Sequence, residues 1–246
     1  MMDWDEDIAA LDLSDVEKDG LQVYRNYTLA FEGQAEKVFA KEADAEPFDI
    51  LALERVLELV AIEDARFLPV IACAYSDDLL TSMFRAELPD SVPSGKSTLF
   101  GPHGPLSTLF NRLQLAAAFD MLSPDLISDL DRVRKARNDI SHSWDISAFR
   151  NFFTEPQSSK LYPVDQVIAE NIEELRSSME DADPQKLFRV RLIWIMALLT
   201  YETAYYARAK RHRLSPHKAL FGPNQPKSLS KVSGIALNAT KKVISG

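Results

Sequence analysis

A chain of 246 residues, 46% of them hydrophobic, is long enough to bury one sizeable core. Only 8 glycines argue against a loop-rich β sandwich, and a single cysteine, Cys73, excludes an internal disulfide framework. The net charge of −9 conceals an asymmetry, because residues 1–20 carry eight acids and one lysine, whereas residues 203–246 carry nine Lys or Arg and no acid. Cys73 lies in the apolar run FLPVIACAY, which indicates a buried thiol rather than a nucleophile.

Apolar residues recur at helical spacing along most of the chain, and residue types that favour helix dominate its long segments. In chain order the pattern predicts helices over 14–43, 48–64, 66–88, 105–122, 123–143 and 186–212, a loop over 89–104, and a short polar helix over 163–180 within a mixed region. Pro105 and Ser123 are expected to begin their helices. From residue 222 onward we expect a flexible tail with at most a short final helix. No segment favours a strand, so the predicted fold is all-α.

The acidic start of the chain lacks the apolar stretch of a signal peptide. The longest apolar run, LIWIMALLTY, is about half the length that a membrane span needs. We therefore expect a cytoplasmic protein that makes no membrane contact. Its His, Cys, Asp and Glu residues do not show metal-ligand spacing, so neither a metal nor a cofactor is predicted.

The segment 94–108, SGKSTLFGPHGPLST, contains GKST, the end of a phosphate-binding P-loop. A P-loop also needs a first glycine where this chain has Asp90, and a buried strand where this chain has the end of a predicted helix. The Asp90 carboxylate would face phosphate charge, so nucleotide binding is not predicted here. Gly101 and Gly104 are instead expected to permit a tight turn before Pro105.

The end of the helix predicted over 186–212 carries a cluster of basic residues. Its members are Arg208, Lys210, Arg211 and Arg213. Such charges can attract RNA or DNA by releasing counterions from phosphates. They can equally pair with the acidic N-terminus of the same subunit or of another. Phe221 is the only aromatic residue between 208 and 242 that could stack on bases.

The segment 129–145, DLDRVRKARNDISHSWD, carries the pattern that most favours chemistry. One helical stripe contains Leu126, Leu130, Val133, Ile140 and Trp144, and Arg137 falls inside it. A guanidinium on the buried side of a helix is costly unless it is paired, so Arg137 is expected to contact a carboxylate, a carbonyl or an anion. The flanking polar face holds Asp131, Arg134, Asn138, Ser141, His142 and Asp145.

Arg137 and His142 beside one phosphate would suffice for metal-independent RNA cleavage. An imidazole moves protons at neutral pH, and a guanidinium stabilises the charge that develops on phosphorane oxygens. Asn138 is the i,i+4 neighbour of His142 and would support the pair. A structural alternative is that Arg137 and Asn138 bond backbone groups where helices pack, and that His142 caps the helix end.

The segment 98–143, TLFGPHGPLSTLFNRLQLAAAFDMLSPDLISDLDRVRKARNDISHS, resembles the core of the mannitol operon repressor-like (MtlR-like) family. A similar Gly-Pro-Leu turn, an apolar helix and an IRKIRNxxAH-like helix carry the resemblance, and Asp120-Met121 departs from the common Leu-Gly. The flanking helices also fit, so the resemblance covers about 66–210. We accordingly expect an N-terminal helical extension over 1–65, an MtlR-like core over 66–212 and a basic flexible tail over 213–246.

The resemblance implies an all-α homodimer that regulates transcription of carbohydrate uptake genes through a protein partner. The family is also similar to the HEPN (higher eukaryote and prokaryote nucleotide-binding) domains, whose ribonuclease members carry an Arg-x4-6-His motif. The segment from Arg137 to His142 matches that motif, and in such domains two subunits bring their motifs together into one site. The alternative function is therefore a HEPN-like ribonuclease of a toxin or defence system, with Arg137, Asn138 and His142 as catalytic residues. Direct nucleic-acid binding through residues 208–242 is a third candidate function.

Overall fold

The computed structural model describes residues 3–45, 49–93, 95–142 and 184–245. All regular secondary structure within these ranges is helical, so the all-α prediction is confirmed. The helices are α1 (Glu6–Ala9), α2 (Asp15–Ala45), α3 (Ile50–Ile62), α4 (Leu68–Glu87), α5 (Lys96–Phe100), α6 (Leu109–Ala118), α7 (Pro124–His142), α8 (Pro184–Arg211), α9 (Pro216–Phe221) and α10 (Ser228–Ser245). The short helix expected over 163–180 lies outside the described residues.

The centre of the fold is α8, which packs against α3, α4, α7, α9 and α10. Its sequence is apolar around most of its circumference, as expected of a helix that other helices surround. Leu192, Ile193, Met196 and Leu199 are fully buried along it. Helices from each of the three predicted segments contribute to the same hydrophobic core.

Polar side chains of α8 bond carbonyl groups at the ends of neighbouring helices. Arg189 donates to the carbonyl oxygens of Val60 (2.7 Å) and Glu63 (2.6 Å) at the end of α3. Tyr205 donates to the carbonyl of Ala43 at 3.2 Å, at the end of α2. The last carbonyls of a helix have no partner inside it, so these bonds fix helix ends to the central helix.

The segment 213–246 folds as α9 and α10, and this corrects the expectation of a flexible tail. The buried residues of α10 recur at helical spacing and include Leu229, Val232, Ala236, Leu237, Ala239 and Val243. Its first turn is capped from outside, because the carboxylate of Asp44 accepts the backbone N–H groups of Lys227 and Ser228, both at 3.0 Å. Packing on α3 and α8 thus overrides the Gly, Pro and Ser content that favoured a tail.

The region before α6 also differs from the prediction. The loop expected over 89–104 contains α5, and α6 begins at Leu109 rather than at Pro105. Thr108 caps α6 by accepting the Asn111 N–H at 3.1 Å, a bond that a helix starting at Pro105 would not allow. A side chain at Gly104 would lie 2.2 Å from the Leu99 carbonyl oxygen, so the turn needs glycine there because the backbone approaches closely.

Candidate functional site

The helix α7 carries the residues for which the sequence predicted chemistry. Leu126, Leu130 and Val133 are buried as the stripe predicted. The buried face continues through Ala136, and Arg137 is exposed, which corrects the prediction that it lies on the buried side. The two positions are neighbours on the helix, and a small alanine fills the packed side while a long arginine side chain reaches water.

The Arg137 guanidinium lies beside Asn138 and near helix α4. Its NH1 group donates to the side-chain oxygen of Asn138 at 3.3 Å. Cys73, on α4, is partly buried, and burial raises the pKa of its thiol to about 11, although the positive charges of Arg137 and Arg134 act to lower it. A thiol with such a pKa is un-ionised at neutral pH, which agrees with the interpretation of Cys73 as a packing residue.

Asp131 and Arg134, predicted as supporting residues, are brought together. Arg134 donates to one carboxylate oxygen of Asp131 through Nε (2.9 Å) and NH2 (2.7 Å), and Lys135 lies 2.9 Å from the other oxygen. Burial acts to raise the pKa of Asp131, but the hydrogen bonds from Lys135 and Arg134 outweigh it and hold the pKa below its usual value. The Arg134 guanidinium also stacks over the Phe110 ring, 4.8 Å from its centroid.

The remaining predicted members of this site lie at the end of α7 and beyond it. The helical backbone includes Ser141 and His142, whereas their side chains and the whole of Asp145 lie outside the described part of the chain. The pairing of Arg137 with His142 therefore stays a prediction.

The basic cluster at the end of α8 contacts acids of its own chain. Lys210 forms an ion pair with Asp120, and Arg211 lies 3.1 Å from a carboxylate oxygen of Glu87. Arg208 lies along the cleft between α4 and α8, and Arg213 follows the helix end with a φ of 58°. Lys210 and Arg211 thus face carboxylates, which lowers the attraction of this cluster for phosphates.

An apolar groove of about 580 Å³ lies beside these ion pairs, between α4, α6 and α8. Its apolar lining includes Phe84, Leu88, Leu99, Pro105, Leu106, Leu115, Phe119 and Met121. The Lys210–Asp120 and Arg211–Glu87 pairs stand on its rim. The sequence alone did not reveal this groove, because its walls come from four separated stretches of the chain.

Gly101, Gly104 and Pro105, predicted as a turn, shape one wall of the groove. The Gly104 N–H donates to the Gly101 carbonyl at 2.9 Å, and the Leu106 N–H donates to the Leu99 carbonyl at 2.8 Å. This compact turn presents Pro105 and Leu106 to the groove. These three residues thus lie in a turn that builds a surface as well as leading towards a helix.

No cluster of three potential metal ligands is found among the described His, Cys, Asp and Glu residues. Within the same residues, no helix combines the length and the apolar character that a membrane span requires. Comparison of the chain with family models, with curated proteins and with solved structures yields no match.

Proposed function

We propose that this protein is a transcriptional regulator of the mannitol operon repressor type, and that it acts by binding a protein partner. The observation that supports this proposal best is the apolar groove between α4, α6 and α8. Phe119, on its edge, is 67% exposed, so a large aromatic side chain extends the apolar lining of the groove to the surface.

The construction of the groove suits a protein ligand. Protein interfaces concentrate binding energy in a few apolar anchors that enter pockets, while a polar rim excludes water and sets orientation. Here Leu106 and Met121 line the groove, and the Lys210–Asp120 pair supplies charges of both signs on its rim. An apolar side chain flanked by charged residues would fit such a surface.

The groove also coincides with the segment on which the resemblance rests. Leu99, Pro105, Leu106, Leu115, Phe119, Asp120 and Met121 all lie within 98–143. A family that shares this segment would share the groove wall, so we assign the regulatory contact to this surface.

The test is a deletion strain in which transcripts of carbohydrate uptake genes are measured. We expect deletion to raise the transcripts of one such operon, and the wild-type gene to restore repression. Phe119→Ser should fail to restore it, whereas Phe67→Ser, a matched change at another exposed phenylalanine, should succeed. Unchanged transcripts in the deletion strain would contradict the proposal. Equal repression by both variants would show that the groove is not the surface that binds the partner.

A HEPN-like ribonuclease is the second candidate function. It is favoured by the exposure of Arg137 beside Asn138, which leaves a guanidinium where an RNA phosphate could reach it. Purified protein should then cleave mixed RNA in EDTA, and Arg137→Ala and His142→Ala should each abolish cleavage, whereas Arg66→Ala, at an exposed arginine, should not. No cleavage by the wild type, or equal cleavage by all variants, would remove this candidate.

A further inference from the structure

The long helix α2 has an apolar face that the described part of the chain leaves mostly exposed. The face, here called the α2 stripe, consists of Val16, Gly20, Val23, Tyr27, Phe31, Gln34 and Val38. At 3.6 residues per turn all seven lie within about 40° of the direction of Tyr27. The exposed fractions of its large apolar residues are 80% for Val16, 52% for Val23, 64% for Tyr27, 59% for Phe31 and 49% for Val38.

The opposite side of α2 makes the contacts with the rest of the fold. Gln22 accepts the Asp5 N–H at 2.8 Å, and Glu36 accepts a bond from Asn224 at 3.0 Å. Phe39 is buried and its ring lies against His212. Most of the α2 stripe therefore points away from the core, while Phe31, Gln34 and Val38 also border a cleft with His212 and Leu214. An exposed apolar band of this length marks an interface.

A glycine within the α2 stripe has no explanation inside one chain. Gly20 lies in the first half of α2, and a Cβ atom there would meet nothing within 4 Å. Glycine inside a helix costs about 1 kcal/mol relative to alanine, so its presence needs a reason. Close approach of another helix along the α2 stripe supplies one.

The spacing within the α2 stripe is symmetric about Tyr27. The successive separations along the chain are four, three, four, four, three and four residues. An antiparallel copy centred on Tyr27 would place Val16 against Val38, Gly20 against Gln34, Val23 against Phe31, and Tyr27 against itself. Gly20 and Val23 each meet a larger residue in this arrangement. The other two contacts pair valine with valine and tyrosine with tyrosine.

The charges beside the α2 stripe favour the same orientation. Asp19, one of whose carboxylate oxygens accepts the Trp4 indole N–H at 2.7 Å, and Lys37 lie on one flank, each about 80° from the direction of Tyr27, in opposite halves of the helix. An antiparallel copy would bring Asp19 of one chain to Lys37 of the other. A parallel copy would instead bring Asp19 towards Glu17 of its neighbour, and like charges repel.

We propose that two copies of this chain associate antiparallel along α2, with a two-fold axis at the contact between the two Tyr27 side chains. The same surface serves both copies, as a two-fold symmetric interface requires. This interface is separate from the groove and from the Arg137 region of α7. The outcome of a test of this interface is therefore independent of the outcome of a test of the proposed function.

The first test measures the oligomeric state of the full chain by sedimentation velocity. We expect a dimer at micromolar concentration, and we expect Phe31→Asp to raise the dissociation constant at least about tenfold, as for a buried interface residue. Phe67→Asp, a matched change at an exposed phenylalanine outside α2, should leave the dimer intact. A wild-type monomer up to about 100 µM, which would make the contact weaker than ordinary specific complexes, would overturn the proposal.

The second test fixes the orientation. Lys37→Asp should weaken the dimer, and the double change Asp19→Lys with Lys37→Asp should restore it. In a Cys73→Ala background, Tyr27→Cys should form an intermolecular disulfide. Val16→Cys should not cross-link with itself, but should cross-link with a Val38→Cys chain. Self cross-linking of Val16→Cys, or no rescue by the charge swap, would reject the antiparallel arrangement.

Discussion

The carboxylate of Glu202, in the second half of α8, accepts both the backbone N–H and the hydroxyl of Ser123, each at 2.8 Å. Ser123 immediately precedes α7, and both residues are buried. Glu202 therefore holds the start of the helix that carries Arg137. Burial raises the pKa of Glu202 to about 7, although the bonds from Ser123 act to lower it.

The first prediction concerns the pH dependence of stability. Because the folded pKa of Glu202 lies above its ordinary value of 4.5, the folded state keeps a proton that the unfolded state releases between pH 4.5 and about 7. Glu202 thus favours folding below pH 4.5, and this contribution is lost as the pH rises to about 7. Glu202→Gln does not titrate and therefore lacks this loss. The unfolding free energy of the variant minus that of the wild type should thus rise by on the order of 3 kcal/mol from about pH 5 to pH 8.

Urea denaturation at several pH values would measure this difference. Glu54→Gln, at an exposed glutamate, is the matched control, and its difference from wild type should change little over the same range. If the difference in unfolding free energy between Glu202→Gln and wild type were equally independent of pH, Glu202 would not titrate in the folded state as described.

The second prediction concerns the cap that α2 provides to α10. Asp44→Ala removes the acceptor of two backbone N–H groups and should lower the unfolding free energy by about 1–2 kcal/mol. Asp44→Asn keeps one acceptor oxygen and should lose less. Chemical denaturation checks both, and Glu42→Ala, at an exposed neighbour on α2, should stay near wild type. A loss for Asp44→Ala no larger than that for Glu42→Ala would mean that the cap contributes nothing.

The third prediction separates the charge of residues 214–246 from their packing. A chain that ends at residue 213 lacks α9 and α10, whose buried Leu, Val and Phe side chains are each worth about 1.5–3 kcal/mol, so that their sum is comparable with the whole stability of an ordinary domain. We expect this chain to lose its cooperative thermal transition in circular dichroism. Replacing Lys227, Lys231, Lys241 and Lys242 by Gln should preserve the transition. A stable truncated protein would restore the description of this segment as a tail.

The fourth prediction concerns Cys73. With a thiol pKa of about 11, roughly one thiol in a thousand is ionised at pH 8, and only the thiolate reacts with iodoacetamide. Alkylation should be at least about tenfold slower than that of a Gln114→Cys, Cys73→Ala variant, whose single thiol lies at an exposed position of α6. Mass spectrometry would measure both alkylation rates. Equal rates for the two thiols would place Cys73 among reactive thiols.

Local patterns were sufficient for the long helices. The predicted bounds 14–43, 66–88, 123–143 and 186–212 each lie within a few residues of α2, α4, α7 and α8. Helical periodicity carries this information, because apolar residues recur at helical spacing along each of these segments. The same rule failed at α10, where Gly and Ser residues suggested a tail and contacts with α3 and α8 supplied the stability.

The candidate site was predicted less completely. The Asp131–Arg134 contact follows from helical spacing and was anticipated as a shared face. The exposure of Arg137 was not, because a helical wheel cannot tell whether a neighbouring helix covers Ala136 or Arg137. The groove escaped prediction altogether, since the Lys210–Asp120 and Arg211–Glu87 pairs join residues far apart in the chain.

The sequence by itself determined the all-α fold class, the long helices and the symmetric spacing of the apolar residues of α2, since these depend on residues within a few turns of one another. Tertiary structure decided which charges are paired and which are exposed, how a supposed tail became part of the core, and where the groove lies. The physical reason is that burial and ion pairing depend on distances between segments, which the order of residues along the chain does not contain.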